Sequence, residues 1–286
     1  MNITSTKRKK LSKKDQCFKI INSILLFAFG LIMIVPFLFM ISTALKTPGE
    51  FVSNPVGLIP KEIYFGNFQD IFSNKLFFTW YQNSVQVVII VLILRLIVIC
   101  SAAYAFAILK FPYKNFLFAV VLSTLFIPGD TTIVSRYFIY KYMHLTDTTL
   151  AIILPGIADA FMFFMLRQFF MKIPYELIEA ALIDGCSYLK ILYKIIIPLA
   201  KPAMTTLMLF SFIWVWNDFT GPSIFINNPQ KQLLTVGIFN LTDRHGLPLT
   251  NVQLSGALLA VIPVTILFIV TQRFFVEGIS NTGIKG

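Results

Sequence analysis

Few residues in this chain could do chemistry, and they are scattered. There are two histidines, His144 and His245, and three cysteines, Cys17, Cys100 and Cys186. Neither set has metal-ligand or disulfide spacing. No glycine-rich loop with Lys and Ser or Thr is present to cradle a phosphate, and no His-Glu-x-x-His to hold zinc. Catalytic residues and a metal site are therefore not expected. The informative stretch is Ile173-Pro-Tyr-Glu-Leu-Ile-Glu-Ala-Ala-Leu-Ile-Asp-Gly185, followed by Cys-Ser-Tyr-Leu-Lys-Ile-Leu-Tyr-Lys-Ile-Ile-Ile-Pro198. Pro174 suits a first helical position, Glu176 and Glu179 complement the positive end of the dipole, and Gly185 supplies a stop where φ can be positive. Ser187 can cap a second helix, with Leu189, Leu192, Ile195 and Ile196 as its apolar stripe, until Pro198 ends it. On the first helix Leu177, Ile178, Ala181 and Leu182 share a face. The small pair Ala180 and Ala181 would let another backbone come close, and Glu179 and Asp184 remain available to a cationic partner. Periodicity alone leaves two readings open, an amphipathic hairpin on a membrane surface and a protein docking element.

The elements that must position this stretch follow from composition. Of 286 residues, 57% are hydrophobic and only 13% charged, against about 25% charged in soluble domains. With a mean hydropathy of +0.77, a water-soluble globule is excluded, because a fold of this size could not hide that much apolar surface. A span needs about 20 apolar residues to cross roughly 30 Å of hydrocarbon. Stretches poor in charge predict six spans, at 20–45, 83–109, 115–135, 148–166, 202–219 and 254–270. Pro128, Gly129 and Asp130 should break the third near one face. The first is too long for a signal-peptide core and lacks a clear cleavage site. With the N-terminus inside, segments 1–19, 110–115, 167–201 and 272–286 carry sixteen Lys and Arg, and the opposite segments carry seven: Lys46, Lys61, Lys75, Arg136, Lys141, Lys231 and Arg244. Both termini are then cytoplasmic. The net charge of +11 is accounted for by a basic tail beside an anionic leaflet, so no nucleic-acid partner is expected.

The docking stretch resembles a known family. Glu179-Ala180-Ala181, three residues, Gly185, nine residues, Ile195, one residue, then Ile197-Pro198 is similar to the EAA loop of the membrane subunits of binding-protein-dependent ABC importers, with Ile197 where the family has Leu. Asn83-Ser84, the run Ala102 to Ala107, Phe111-Pro112, Arg167 to Phe170, Ile173-Pro174, Trp216 to Phe219, Gln272 to Val276 and Gly283 to Gly286 extend the likeness over nearly the whole chain after about residue 20. They resemble the carbohydrate-uptake branch, and within it the smaller six-span subunit of the maltose-permease type.

The resemblance implies an all-α polytopic membrane protein with six transmembrane helices, cytoplasmic termini and the type I ABC importer fold, in a bacterial plasma membrane. It implies a basic tail over 1–19, a first helix over 20–45, an extracellular loop over 46–82, a core transmembrane domain over 83–274 containing the coupling loop 171–201, and a C-terminal tail over 275–286. The implied partners are a homologous permease subunit, two ATPase subunits and an extracellular solute-binding protein that delivers a sugar. Glu179, Ala180, Ala181, Asp184 and Gly185 would engage the ATPase. This chain would bind no cofactor and catalyse no reaction, ATP and Mg being used by the partner ATPase. The outer loop Asp218 to Val252 would meet the binding protein. Arg95, within the second span, would line the pathway, meet another subunit or pair structurally, and Asp159 would neutralise it or cap a broken helix near Pro155. Trp214, Trp216 and Asn217 could meet a sugar through ring faces and an amide, or the tryptophans could form an interfacial belt. Two alternatives stay open: the same machinery with another cargo (a glycerol phosphate, an oligogalacturonide, a peptide-like solute), and a membrane receptor or enzyme without an ATPase.

Overall fold

The computed structural model describes residues 13–243 and 245–283, with side chains over 18–243 and 245–272. The basic tail up to Ser12, Arg244 and the terminal Ile284-Lys285-Gly286 lie outside the described residues, as does the side chain of Cys17. Among the described residues the chain is helical, and its β structure is one isolated bridge between Thr242 and Pro248. In order, the helices are α1 (Lys13–Ala44), α2 (Pro48–Ser53), α3 (Gly66–Ser73), α4 (Phe77–Ile108), α5 (Lys114–Ser123), α6 (Ile133–Tyr142), α7 (Leu150–Ile157) and α8 (Ala160–Phe170). There follow α9 (Tyr175–Ile183), α10 (Tyr188–Ile191), a π turn (Leu192–Ile196), α11 (Ile197–Leu199), α12 (Lys201–Trp216), α13 (Thr220–Phe225), α14 (Leu234–Phe239) and α15 (Thr250–Gly283).

Helices dominate because hydrocarbon offers no partner for a backbone N–H or C=O, so each must be satisfied within the chain. Among the described residues four stretches are long and apolar enough to cross a membrane: Phe18–Ala44, Phe77–Ile108, Leu150–Phe170 and Thr250–Gln272. Two bent pairs bring the number to six if each is one span, Lys114–Phe126 with Gly129–Tyr142 at 91° and Tyr188–Leu199 with Lys201–Phe225 at 82°. The first bend falls at Pro128 and Gly129, as the sequence requires. α4 begins at Phe77, six residues before the expected start of the second span, because Phe77 and Trp80 are buried apolar residues that extend it.

The chain divides into two compact units. One comprises the chain up to Asp70 with Thr250–Leu258, the other Ile71–Leu249 with Leu259–Gly286. In the first, the C-terminal carbonyls of α1 receive side-chain donors. Asn67 Nδ2 donates to Ala44 O and Lys46 O at 2.8 Å each, and Asn251 Nδ2 to Lys46 O at 2.9 Å. Lys46 itself is fully buried, its ammonium donating to the carbonyls of Gly57 at 2.6 Å and Asn54 at 2.9 Å. These bonds tie the segment after α2 to the end of α1. Lys46→Met strands those carbonyls without a donor and is expected to destabilise the segment by about 1–3 kcal/mol. Faster proteolysis between α2 and α3, with α4 still intact, is the readout.

The second unit is organised around α4, which packs against α7, α8, α12 and α14. Its core runs through Ile99, Cys100, Ala103, Tyr104 and Ile108 of α4 and Met162, Phe163, Leu166 and Phe170 of α8. α7 and α8 are halves of one broken span. Pro155 removes a backbone donor, and Ala158 and Asp159 are extended before α8 restarts. Asp159 Oδ1 accepts from Met162 N at 2.8 Å, so this carboxylate caps the second half.

Candidate coupling surface

The stretch singled out by sequence folds as a helix–turn–helix closed by caps. Pro174 is the N-cap residue of α9 rather than its first helical residue, with φ −55° and ψ 128°. At the other end Gly185 has φ +74°. Its N–H donates to Leu182 O at 3.0 Å, and Cys186 N–H to Ala181 O at 2.9 Å. That pair of bonds is the Schellman closure, which satisfies carbonyls that the helix end leaves open. Ser187 then caps the next turn, its Oγ accepting from Lys190 N at 3.3 Å. A Cβ on Gly185 would meet nothing within 4 Å, so the glycine is required by its backbone angle alone. Gly185→Ala is accordingly expected to destabilise the turn by about 1–2 kcal/mol, seen as lower thermal stability and faster proteolysis at the turn.

This hairpin is fixed to the spans. Ile178 and Ala181 of α9 join the core of α4 and α8, together with Ile191, Leu192, Ile196 and Ala200 from the following helix. Tyr104 Oη donates to Tyr188 O at 3.0 Å. The C-terminal carbonyls of α4 are met by two cations: Arg167 Nε donates to Phe106 O at 3.0 Å, and Lys114 Nζ to Ala107 O at 3.3 Å and Leu109 O at 2.8 Å. The Arg167 guanidinium also lies 3.9 Å from the centroid of the Phe118 ring. Two details differ from the expected faces. Leu177 is 45% exposed and Leu189 67% exposed. Ile191 takes the buried place, because the π turn Leu192–Ile196 rotates each residue less than an α turn and swings the face toward it. The helix also continues past Pro198 to Leu199, and the chain bends at Ala200.

Packing therefore divides the Glu-Ala-Ala triplet. Ala181 is buried, whereas Glu179 and Ala180 face outward beside Ile183, Asp184 and Gly185. Glu176 and Leu177 extend the same exposed region. An apolar patch with three carboxylates on a braced hairpin can bind a partner protein carrying cationic residues around an apolar cleft.

The other expected site residues lie elsewhere. Arg95 is buried and donates from Nε to Gly156 O at 2.6 Å. Trp216 is 4% exposed, stacks on Phe212 and donates its indole N–H to Ala260 O at 3.0 Å, so it holds α12 to α15. Trp214 and Asn217 are exposed near the end of α12, where Asn217 Nδ2 returns to Ile213 O at 2.8 Å. An open cleft of about 320 Å3 runs between α4, α12 and α15, lined by Leu92, Leu96, Met208, Phe212, Leu267 and Thr271 among others. His144 and His245 are exposed loop residues, and no group of His, Cys, Asp or Glu able to hold a metal occurs among the described residues.

Sequence reasoning gave no structural task to Asn83 and Ser84. Asn83 Nδ2 donates to Gln230 O at 2.9 Å and Gln232 O at 3.0 Å, and Ser84 Oγ accepts from Leu234 N at 2.8 Å. Trp80 Nε1 donates to Pro229 O at 2.7 Å. The segment from α13 to α14 is thus pinned to the start of α4.

Residues 5–281 match the family described as binding-protein-dependent transport system inner membrane component. The chain belongs to this family. Among curated relatives of this membrane component, the arabinooligosaccharides transport system permease protein AraQ of Halalkalibacterium halodurans is 32% identical over 264 residues, 91% of this chain and 94% of that one. The diacetylchitobiose uptake system permease protein NgcG of Streptomyces coelicolor is 30% identical over 273 residues, 94% of this chain and 90% of that one. Among solved structures, a chain of a bacterial ABC transporter involved in the import of the acidic polysaccharide alginate has a TM-score of 0.82 at 26% identity, covering 93% of this chain and 99% of that chain. The membrane component is therefore a multi-pass transport permease with the ABC importer fold, and not an enzyme.

Proposed function

We propose that this chain is one permease subunit of an ATP-driven importer for a sugar or oligosaccharide, paired with a homologous permease subunit. Each bent helix pair contributes one span, the second through its Lys201–Phe225 half while Tyr188–Leu199 stays in the cytoplasmic hairpin, giving six, with both termini cytoplasmic. Two ATPase subunits dock on α9 through Glu179, Ala180, Ala181, Asp184 and Gly185, of which Ala181 acts from the buried side by setting the depth of the helix. ATP and Mg bind in those subunits, and closure of their dimer displaces α9 and the spans fixed to it. The outer segment between α13 and α15 receives a binding protein on the external face. Trp214 and Asn217, exposed near the end of α12, are the residues placed to meet sugar, while Arg95 and Trp216 act from within the packing.

This reading rests above all on α9, which is closed at its C-terminal end by the Schellman turn, embedded in the α4–α8 core, and still presents Glu179, Ala180, Ile183 and Asp184 outward. A stiff hairpin fixed to the spans transmits a push; a surface-lying one would not need the core contacts. The sugar assignment draws on the carbohydrate cargoes named for the three relatives. Purification of the complex through a tag on this chain should recover a second permease and an ATPase, and the purified external binding protein should bind oligosaccharides. Recovery of this chain without an ATPase would contradict the proposal.

A further inference from the structure

The two halves of the α7–α8 span both pack on α4, but on either side of the break they differ in their other anchors. α7 belongs with the outer segment: Asp147 N–H, just before it, donates to Phe225 O at 2.8 Å, and a Cβ on Gly221 of α13 would lie 3.4 Å from Ile152. α8 belongs with the coupling hairpin, through Met162, Phe163, Leu166 and Phe170 in the shared core. Between them Ala158 and Asp159 run extended. An interrupted helix is a weak point in a lever, because displacement applied to one half can be absorbed as rotation at the break.

One side chain crosses it. Arg95, 6% exposed on α4, donates from Nε to Gly156 O in α7 and from Nη1 to Met162 Sδ in α8, at 2.6 and 3.7 Å. The close seating of α7 makes the first contact possible, since a Cβ on Gly156 would lie 3.0 Å from Val91. The planar guanidinium offers several donors in a fixed fork, so one group can hold partners on both sides of a gap. The cavity beside it, lined by Cys100, Met204, Met208 and Ser211 among others, is about 20 Å3, room for one water and far too small for a sugar ring.

We propose that Arg95 is a positioning residue that ties α7 to α8, so that motion received at α9 reaches the outer half of the span instead of being lost at the break. This rests on the importer reading above and adds to it a reason for an intramembrane arginine that meets no cargo. The test uses the assembled complex in proteoliposomes, in a background lacking the native cysteines, with spin labels on Leu154→Cys in α7 and Met171→Cys at the end of α8, both exposed and outside the docking residues of α9. In the parent chain the distance between the labels stays narrow and unchanged when ATP is trapped. Arg95→Met should broaden or shift that distance on ATP trapping and lower sugar imported per ATP hydrolysed by about 2- to 30-fold, while ATPase assembly persists. Arg95→Lys, which keeps the charge but cannot bridge both partners, should show the same change in smaller degree, and it decides the matter if Arg95→Met does not assemble. Unchanged label distances and unchanged uptake per ATP in Arg95→Lys would overturn the proposal. Absence of any ATPase partner for the parent chain would instead overturn the importer reading.

Discussion

Glu179→Lys is expected to abolish ATP-driven uptake while leaving the chain folded in its membrane. Glu179 is exposed on α9 and lies outside the core, so exchanging it should change stability by no more than about 0.5 kcal/mol. Its environment in the complex is different. If the ATPase presents cationic groups to the carboxylates of α9, reversal sets like charges against each other and costs several kcal/mol, which at 1.4 kcal/mol per tenfold corresponds to a loss of at least about a hundredfold in docking. The matching measurement is co-purification of the ATPase together with uptake. Normal thermal stability with lost ATPase and lost uptake is the expected pattern. Retained uptake would mean that the exposed end of α9 is not where the motor binds.

Gly237→Ala should detach the outer segment from α4. A Cβ at Gly237 would overlap the Trp80 indole at Cδ2, far inside van der Waals contact. Trp80 is 4% exposed and anchored through its indole N–H to Pro229 O, so it has nowhere to retreat. Overpacking of this kind costs about 1–3 kcal/mol, and the displaced ring would take the Pro229 bond with it. The expected results are faster proteolysis between α13 and α15 and weakened binding-protein-dependent uptake, with ATPase assembly on the opposite end intact. An unchanged proteolytic pattern would show that the segment is not held by Trp80. Because the clash is at backbone level in α14, larger residues at 237 should be worse than alanine.

Local signals were the legible ones. Gly185 and Ser187 announced a turn and a cap that the structure contains, since a positive φ and an Oγ acceptor are properties of single residues. Pro128-Gly129 likewise marked a bend. The faces of the hairpin were half legible: Ile178, Ala181, Leu192 and Ile196 are buried as spacing indicated, but the π turn shifted the stripe from Leu189 to Ile191. α4 could not be oriented at all, because a helix apolar on every side offers no stripe to read. What stayed hidden was long-range polar satisfaction. Asn251 reaches Lys46 O across 205 residues, and Asn83 and Ser84 bind a segment 147 to 150 residues away. Such pairs exist because helix ends and loops near lipid must find partners, and nothing in the sequence says which asparagine serves which carbonyl. Arg95 belongs to the same class: its charge left a pathway lining, a subunit contact and a structural pair all open, and nothing in the sequence pointed to Gly156 O and Met162 Sδ as its partners.

The central claim, that the exposed end of α9 is the cytoplasmic grip of an ATP-driven motor, is tested most directly by labelling Ile183→Cys in a background lacking the native cysteines. Ile183 is 86% exposed, one residue before Asp184. A membrane-impermeant maleimide should label it in inside-out vesicles stripped of the ATPase, fail to label it in right-side-out cells, and be blocked when the ATPase is restored. Labelling from the outside, or labelling from the inside that the ATPase does not protect, would contradict the account.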